Sequence, residues 1–198
     1  DYVIVGQDGW SPVDPDAARA AAAVAGVDVA TGIAQDRARA FGERISVDGV
    51  DEARIASVFG FEWENGSDDA YAELASGGAI VTDRFAEDHG LAVGDRFEVT
   101  SVNGTRLDLS VAGVSKPDRF DPLGTGEVTI ARAAYDEAFS AERERYAFVA
   151  ADGAARPGLE RALAPFPDVK LQSKGEFQAD QSAWVDQILG IFYVLLGL

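Results

Sequence analysis

Short apolar runs, amphipathic stretches and turn residues follow one another along the chain in an order that can be read as elements. Tyr2-Val3-Ile4-Val5 is an unbroken apolar run of strand length. Asp14 followed by Pro15 is an N-cap and first-turn pair. The Ala-rich stretch behind them predicts a helix of high propensity and little bulk, able to lie close against a sheet until Gly26 stops it. Val27 to Val29 resumes as strand. Near the other end the order returns: strand Tyr146 to Ala150, a helix opened by Pro157 and carried by Leu159, Ala162 and Leu163, then strand Val169 to Leu171. Tyr2-Val3-Ile4-Val5-Gly6-Gln7-Asp8-Gly9 aligns with Tyr146-Ala147-Phe148-Val149-Ala150-Ala151-Asp152-Gly153, so the pattern reads as an internal repeat of two βαβ halves. The alternative is coincidence between two ordinary strand–loop–helix units.

Between the halves the pattern changes. Ser67, Asp68 and Asp69 open a helix running through Leu74, closed by Gly77-Gly78, and a short strand, Ala79 to Val81, follows. Asp83 is read as the cap of a helix carrying Phe85, Ala86 and His89, with Gly90 in a left-handed stop and Leu91 folding back. Gly94-Asp95 turns the chain into a hairpin whose strands are Arg96 to Val102 and Thr105 to Val114. Asn103-Gly104 predicts a type I′ turn between them, and Gly113 a bulge or a close backbone approach. A loop from Ser115 to Gly126 leads to strand Glu127 to Ile130 and a helix through Tyr135, Ala138 and Phe139, which makes the whole a mixed α+β chain.

The C-terminal pattern differs again. Phe177, Gln181, Trp184, Ile188 and Ile191 or Phe192 recur at helical spacing, with Gln178, Asp180, Ser182, Asp186 and Gln187 between them. From Ile188 the sequence carries no charge: Leu189, Ile191, Phe192, Tyr193, Val194, Leu195, Leu196 and Leu198 make a helix apolar on every face. Such a run is shorter than the ~20 residues that span a bilayer. It reads as the start of a span, with a buried core helix as the alternative. Trp184 and Tyr193 are rings of the kind found at membrane interfaces. With no basic region ahead of Tyr2, the chain reads as a segment of a longer one.

Composition narrows the chemistry. A formal charge of −17, from 34 acids and 17 bases, excludes a nucleic-acid binder resting on a global basic field. There is no cysteine and one histidine, so thiolate nucleophiles, disulfides and Cys- or multi-His metal centres are excluded. His89, one turn after Phe85, reads as a helix-end residue rather than a general base. Glu62-Trp63-Glu64, Asp68-Asp69 and the acids from Asp118 to Glu127 lack calcium-loop spacing, and no phosphate loop or Gly-x-Ser-x-Gly elbow occurs. Arg19, Arg37, Arg39 and Arg44 form a modest basic group that reads as a solvated face. No catalytic residue, metal site or cofactor is expected.

The segment Gly78-Ala79-Ile80-Val81-Thr82-Asp83-Arg84-Phe85-Ala86-Glu87-Asp88-His89-Gly90-Leu91-Ala92-Val93-Gly94-Asp95 resembles the extracytoplasmic domains of MacB-like and FtsX-like ABC transporter permeases. The continuation, Phe97-Glu98-Val99 to Leu109-Ser110-Val111-Ala112-Gly113-Val114, is similar to that family's hairpin, and the likeness spans most of the chain. The resemblance implies a porter-like base from residues 1–65 with 140–175, an inserted sabre-like lobe at 66–139, and a helix at 176–198 leading into a truncated transmembrane segment. It implies a cell-membrane protein with this domain outside, partnered by a cytoplasmic ATPase subunit and a second permease copy or paralogue, relaying motion to a substrate or envelope partner. A freestanding secreted binding module is the alternative, and a carboxylate hydrolase a third reading. Since packed helices lie about 8 to 10 Å apart, the permease topology requires Asp1 and Gln187 to approach within roughly 20 Å.

Overall fold

The computed structural model describes residues 1–117, 125–140 and 143–180. Among them, the strands are β1 (Tyr2–Gly6), β2 (Val27–Ala40), β3 (Glu43–Val50), β4 (Trp63–Asn65), β5 (Gly78–Thr82), β6 (Arg96–Ser101), β7 (Arg106–Ser115), β8 (Val128–Ala131), β9 (Glu144–Ala151) and β10 (Val169–Ser173). The helices are α1 (Pro15–Ala22), α2 (Asp69–Leu74), α3 (Asp83–His89), α4 (Arg132–Ala138), α5 (Arg156–Leu163) and, at 174–180, a further one termed α6. All the strands share one mixed sheet in the order β10-β1-β9-β2-β3-β8-β5-β7-β4, with β6 set against β2 and β7.

At one end of that order the two halves interleave. β1 pairs antiparallel with both β10 and β9, and β9 pairs antiparallel with β2, so each βαβ unit holds a strand of the other between its own two. Alternation along β1 then decides what each face buries. Tyr2 and Ile4 join Ala17, Ala21, Leu159 and Leu163 under α1 and α5, where the Ala side chains let α1 pack closely. Val3 and Val5 face the other way, into a layer with Ile55, Tyr71, Leu74, Phe148 and Phe177. The Asp14 carboxylate accepts from the Asp16 N–H at 2.8 Å, and Pro15 starts α1.

The strand expected at Val27–Val29 is instead 14 residues long, about 45 Å at ordinary strand rise. Its first part pairs with β9, and Ile33 to Ala40 pairs with β3 beyond the edge of that unit. Phe41 (φ 52°) and Gly42 (φ 83°) form the two-residue turn joining β2 to β3, with the positive φ at both positions that a type I′ turn demands. Phe41 is the one non-glycine among the described residues in that region. Its ring stacks on His89 at 4.2 Å and lies 6.0 Å from Phe85, contacts that offset the backbone strain.

The Asn103-Gly104 turn is not type I′. Only Gly104 has positive φ, at 83°. Gly104 N–H donates to the Ser101 carbonyl at 3.0 Å and Ser101 N–H to the Thr105 carbonyl at 2.9 Å, which makes a three-residue loop, Val102-Asn103-Gly104. Asn103 turns its side chain outward, donating Nδ2–H to Ser140 Oγ at 2.8 Å. Two caps also differ from expectation. Thr82, not Asp83, caps α3, its Oγ1 accepting from Phe85 N–H. Asp68 makes no capping bond, because its carboxylate accepts the Trp63 indole N–H at 2.9 Å. β5 to β8 and α3, α4 enclose the second core around Phe85, Phe97, Leu109, Ile130 and Tyr135.

Candidate functional site

The end of β10 and the start of β1 lie side by side, and the chain leaves the sheet there into α6. Tyr2 is registered with Ser173, and Lys174 N–H donates to the Asp1 carbonyl at 3.0 Å. Ser173-Lys174-Gly175-Glu176 forms a capping box. Ser173 N–H donates to Glu176 Oε2 at 2.7 Å, and Glu176 N–H returns to Ser173 Oγ at 3.2 Å. Arg156, at the start of α5, closes on the same carboxylate through Nη1 at 3.1 Å and Nη2 at 3.0 Å, the planar fork-to-fork match that arginine makes best. Ser173 N–H first, then the guanidinium, hold the Glu176 carboxyl down to about 2.

One turn further, Asp180 accepts from Lys170 Nζ at 3.0 Å and Gln172 Nε2 at 2.6 Å, and those donors lower its pKa. Between the two anchors Phe177 is buried edge-on to Tyr146, with ring centres 6.2 Å apart. A half-open cleft of about 270 Å³ runs beside it, lined by Val58, Phe59, Phe148, Phe177, Asp1 and Lys174. The first turn of α6 is therefore fixed to both βαβ units by backbone, charge and an aromatic plug. α6 is thus joined to β10, α5 and Asp1 at once.

A second ionic group lies where β9 begins. Glu144, 4% exposed, accepts from Arg132 Nη1 at 2.9 Å, while Asp136 takes Arg132 Nε–H at 2.7 Å. Burial raises the Glu144 carboxyl against the pull of that arginine. The carboxylate lies on Gly32 of β2, where a Cβ would come within 1.8 Å of Oε2. Only glycine permits the crossing.

The glycines and turn residues singled out in the sequence lie away from the joint. Gly90 ends α3 at φ 64°, with Leu91 N–H reaching back to the Ala86 carbonyl at 2.9 Å. Gly94 (φ 94°) and Asp95, whose carboxylate accepts from Ala92 N–H at 2.8 Å, lead into β6. Gly113 follows a register shift in the β5–β7 ladder and lies under the Trp63 ring. Arg37, Arg39 and Arg44 come together on the β2–β3 hairpin, whereas Arg19 is elsewhere, paired with Asp16. Trp184, Ile188, Leu189, Ile191, Phe192, Tyr193, Val194, Leu195, Leu196 and Leu198 lie outside the described residues, as does the Gln187 end of the expected 20 Å span. No helix among the described residues is long and apolar enough to cross a membrane. Nor do the described residues place three or more His, Cys, Asp or Glu side chains to hold a metal ion.

Residues 1–166 match the family model described as the MacB-like periplasmic core domain. The fold is similar to the periplasmic region of MacB from Actinobacillus actinomycetemcomitans, with a TM-score of 0.63 and 9% identity over 92% of this chain and 91% of that one. It is also similar to the extracellular domain of the noncanonic ABC-type transporter YknZ from Gram-positive bacteria, with a TM-score of 0.59 and 14% identity over 87% of this chain and 100% of that one. A permease domain from Porphyromonas gingivalis aligns with a TM-score of 0.52 and 14% identity over 86% of each chain. No curated protein matches the sequence.

An interleaved pair of βαβ units continuous with a second α+β core is thus the architecture of an extracytoplasmic domain of an ABC transporter permease. The chain belongs to the MacB-like periplasmic core domain family, a non-catalytic part of a transporter on the extracytoplasmic side.

Proposed function

We propose that this domain is a mechanical relay. Residues 1–65 with 140–175 act as the membrane-proximal base, 66–139 as the distal lobe, and 176–198 as the helix that carries the chain into the membrane. A cytoplasmic ATPase subunit moves the transmembrane helices, a second permease copy or paralogue completes the assembly, and the base passes that motion through α6 to an exported substrate or envelope partner. The observation carrying this reading is the 3.0 Å bond from Lys174 N–H to the Asp1 carbonyl, which brings the entry and exit of the base to one edge. Displacement of the segment after α6 is delivered to β10 and α5 at once, because Glu176 and Asp180 grip both.

The test uses the full permease with its ATPase in nanodiscs. These 198 residues have no cysteine, so with any cysteine outside them replaced, a spin label on Val102→Cys reports the distance between the distal lobes of two copies. Trapping ATP should shift that distance by several ångströms, and the shift should shrink when Phe177→Ala loosens α6. An unchanged distance on nucleotide trapping rejects the relay.

A further inference from the structure

The acidic chain gathers three arginines on one hairpin, and none of them forms an ion pair among the described residues. Arg37 and Arg39 project from the exposed side of β2, two residues apart, and Arg44 stands directly opposite Arg39 across the β2–β3 ladder. Strand geometry places neighbours of this kind about 5 to 7 Å apart, and like charges directly opposed disfavour the pairing. Elsewhere Arg19, Arg54, Arg84, Arg106, Arg132, Arg143 and Arg156 each meet a carboxylate, while Arg96, Arg145 and Arg161 form no ion pair among the described residues but do not share this hairpin. Among the described residues no carboxylate reaches Arg37, Arg39 or Arg44, although the chain carries 34 acids against 17 bases. Thr100, registered with Arg39 from β6, and Val102, 60% exposed, complete an open groove of about 420 Å³. Its far wall is fixed in advance, since Asn103 ties the β6–β7 turn to Ser140.

Three guanidinium forks beside one apolar side chain ask for an anion with an apolar neighbour. On the reading proposed above, the bilayer lies at the Asp1 end. Arg37 stands seven residues along β2 from Ala30, which is level with Tyr2 through Val149 of β9, so lipid headgroups lie about 25 Å away, beyond a Debye length of ~8 Å. A phosphate polymer satisfies the arginines but leaves Val102 facing only polar atoms. A polypeptide satisfies both. We propose that this groove docks an acidic segment of another extracytoplasmic protein, with carboxylates at the ~7 Å repeat of an extended strand and an apolar side chain against Val102.

Fluorescence anisotropy on the 198-residue chain in mild detergent tests this without the transporter, so it stands or falls separately from the relay. The probes are a labelled peptide of about twelve residues alternating Glu and Ser with a central Val, the same peptide with Ser at the centre, and polyphosphate of matched charge. The Val peptide should bind saturably and weaken at least tenfold with Arg37→Gln/Arg39→Gln/Arg44→Gln, a variant whose circular dichroism should be unchanged because all three side chains are exposed. Val102→Ser should erase the difference between the two peptides. Equal or tighter binding of polyphosphate would overturn the proposal in favour of an anionic polymer. Undiminished peptide binding by the triple variant would overturn the groove itself, and a concentration-dependent dimer lost in that variant would reassign it to a second copy of this chain.

Discussion

Two regions of the sheet handle charge in opposite ways. Around α6, Arg156 and Glu176, and Lys170 and Asp180, are matched donor to acceptor, with an aromatic ring buried between the anchors. Around the β2–β3 turn, Arg37, Arg39 and Arg44 share a face and form no ion pair among the described residues, while Phe41 and Val102 stay 52% and 60% exposed. Matched groups lose their freedom to each other and make a stiff joint. Unmatched ones keep it for something else. The difference separates a part whose charges are matched within the fold from a part whose charges are not, although one sheet carries both.

The largest expected effect tests the stiff region. Phe177→Ala should lower stability by about 3 to 4 kcal/mol in urea denaturation, and hydrogen exchange should show the amides of 174–180 opening well before the sheet. A uniform loss across the sheet would mean that Phe177 is ordinary core and α6 no separate joint. Next, Gly32→Ala should cost about 2 kcal/mol by driving Glu144 from its place, with the double variant Gly32→Ala/Glu144→Ala partly restored. A full-size loss in that double variant would place the strain elsewhere.

A pH series sharpens the contrast further. Glu176 has its carboxyl depressed from 4.5 to about 2 in the fold, so its contribution is complete above the unfolded value and fades as pH falls from about 4.5 through 2. Protection of the α6 amides should decline across that window in the native chain and decline less in Glu176→Gln, where Asp180 is the α6 carboxyl that still titrates. The smallest effect lies in the other region. Arg39→Glu places a carboxylate opposite Arg44 and should raise stability by ~0.5 kcal/mol, read as a slightly higher urea midpoint. A destabilised variant would mean that the arginines already have a use within the fold.

The sequence discloses these regions unevenly. The paired runs at Tyr2 and Tyr146 are legible because a strand buried on both faces must be apolar throughout, and their interleaving follows once two βαβ units share a sheet. The length of β2 is hidden. Gly32 serves a buried carboxylate, Gln35, Asp36, Arg37 and Arg39 interrupt any apolar run, and Ala34, Ala38 and Ala40 point inward only as small residues. Phe41 conceals the turn, since its ring contacts rather than its backbone preference hold it at positive φ. The Ser173-to-Glu176 capping box is a plain local signal that hydrophobic period passes over. The arginine face needed the β2–β3 register, which no spacing along one strand supplies.

The placement of β1 also sets an order in time. Its partners are residues 144–151 and 169–173, so Tyr2–Gly6 waits until residue 173 has been made. At 5 to 20 residues per second that wait is roughly 10 to 30 s. The hairpins β2–β3 and β6–β7 close over short loops within microseconds of emerging. Synthesis therefore completes the core around Phe85 and Tyr135 before the β10-β1-β9 edge, leaving the Val3 and Val5 edge open longest and making it the point where a chaperone or a wrong strand would compete.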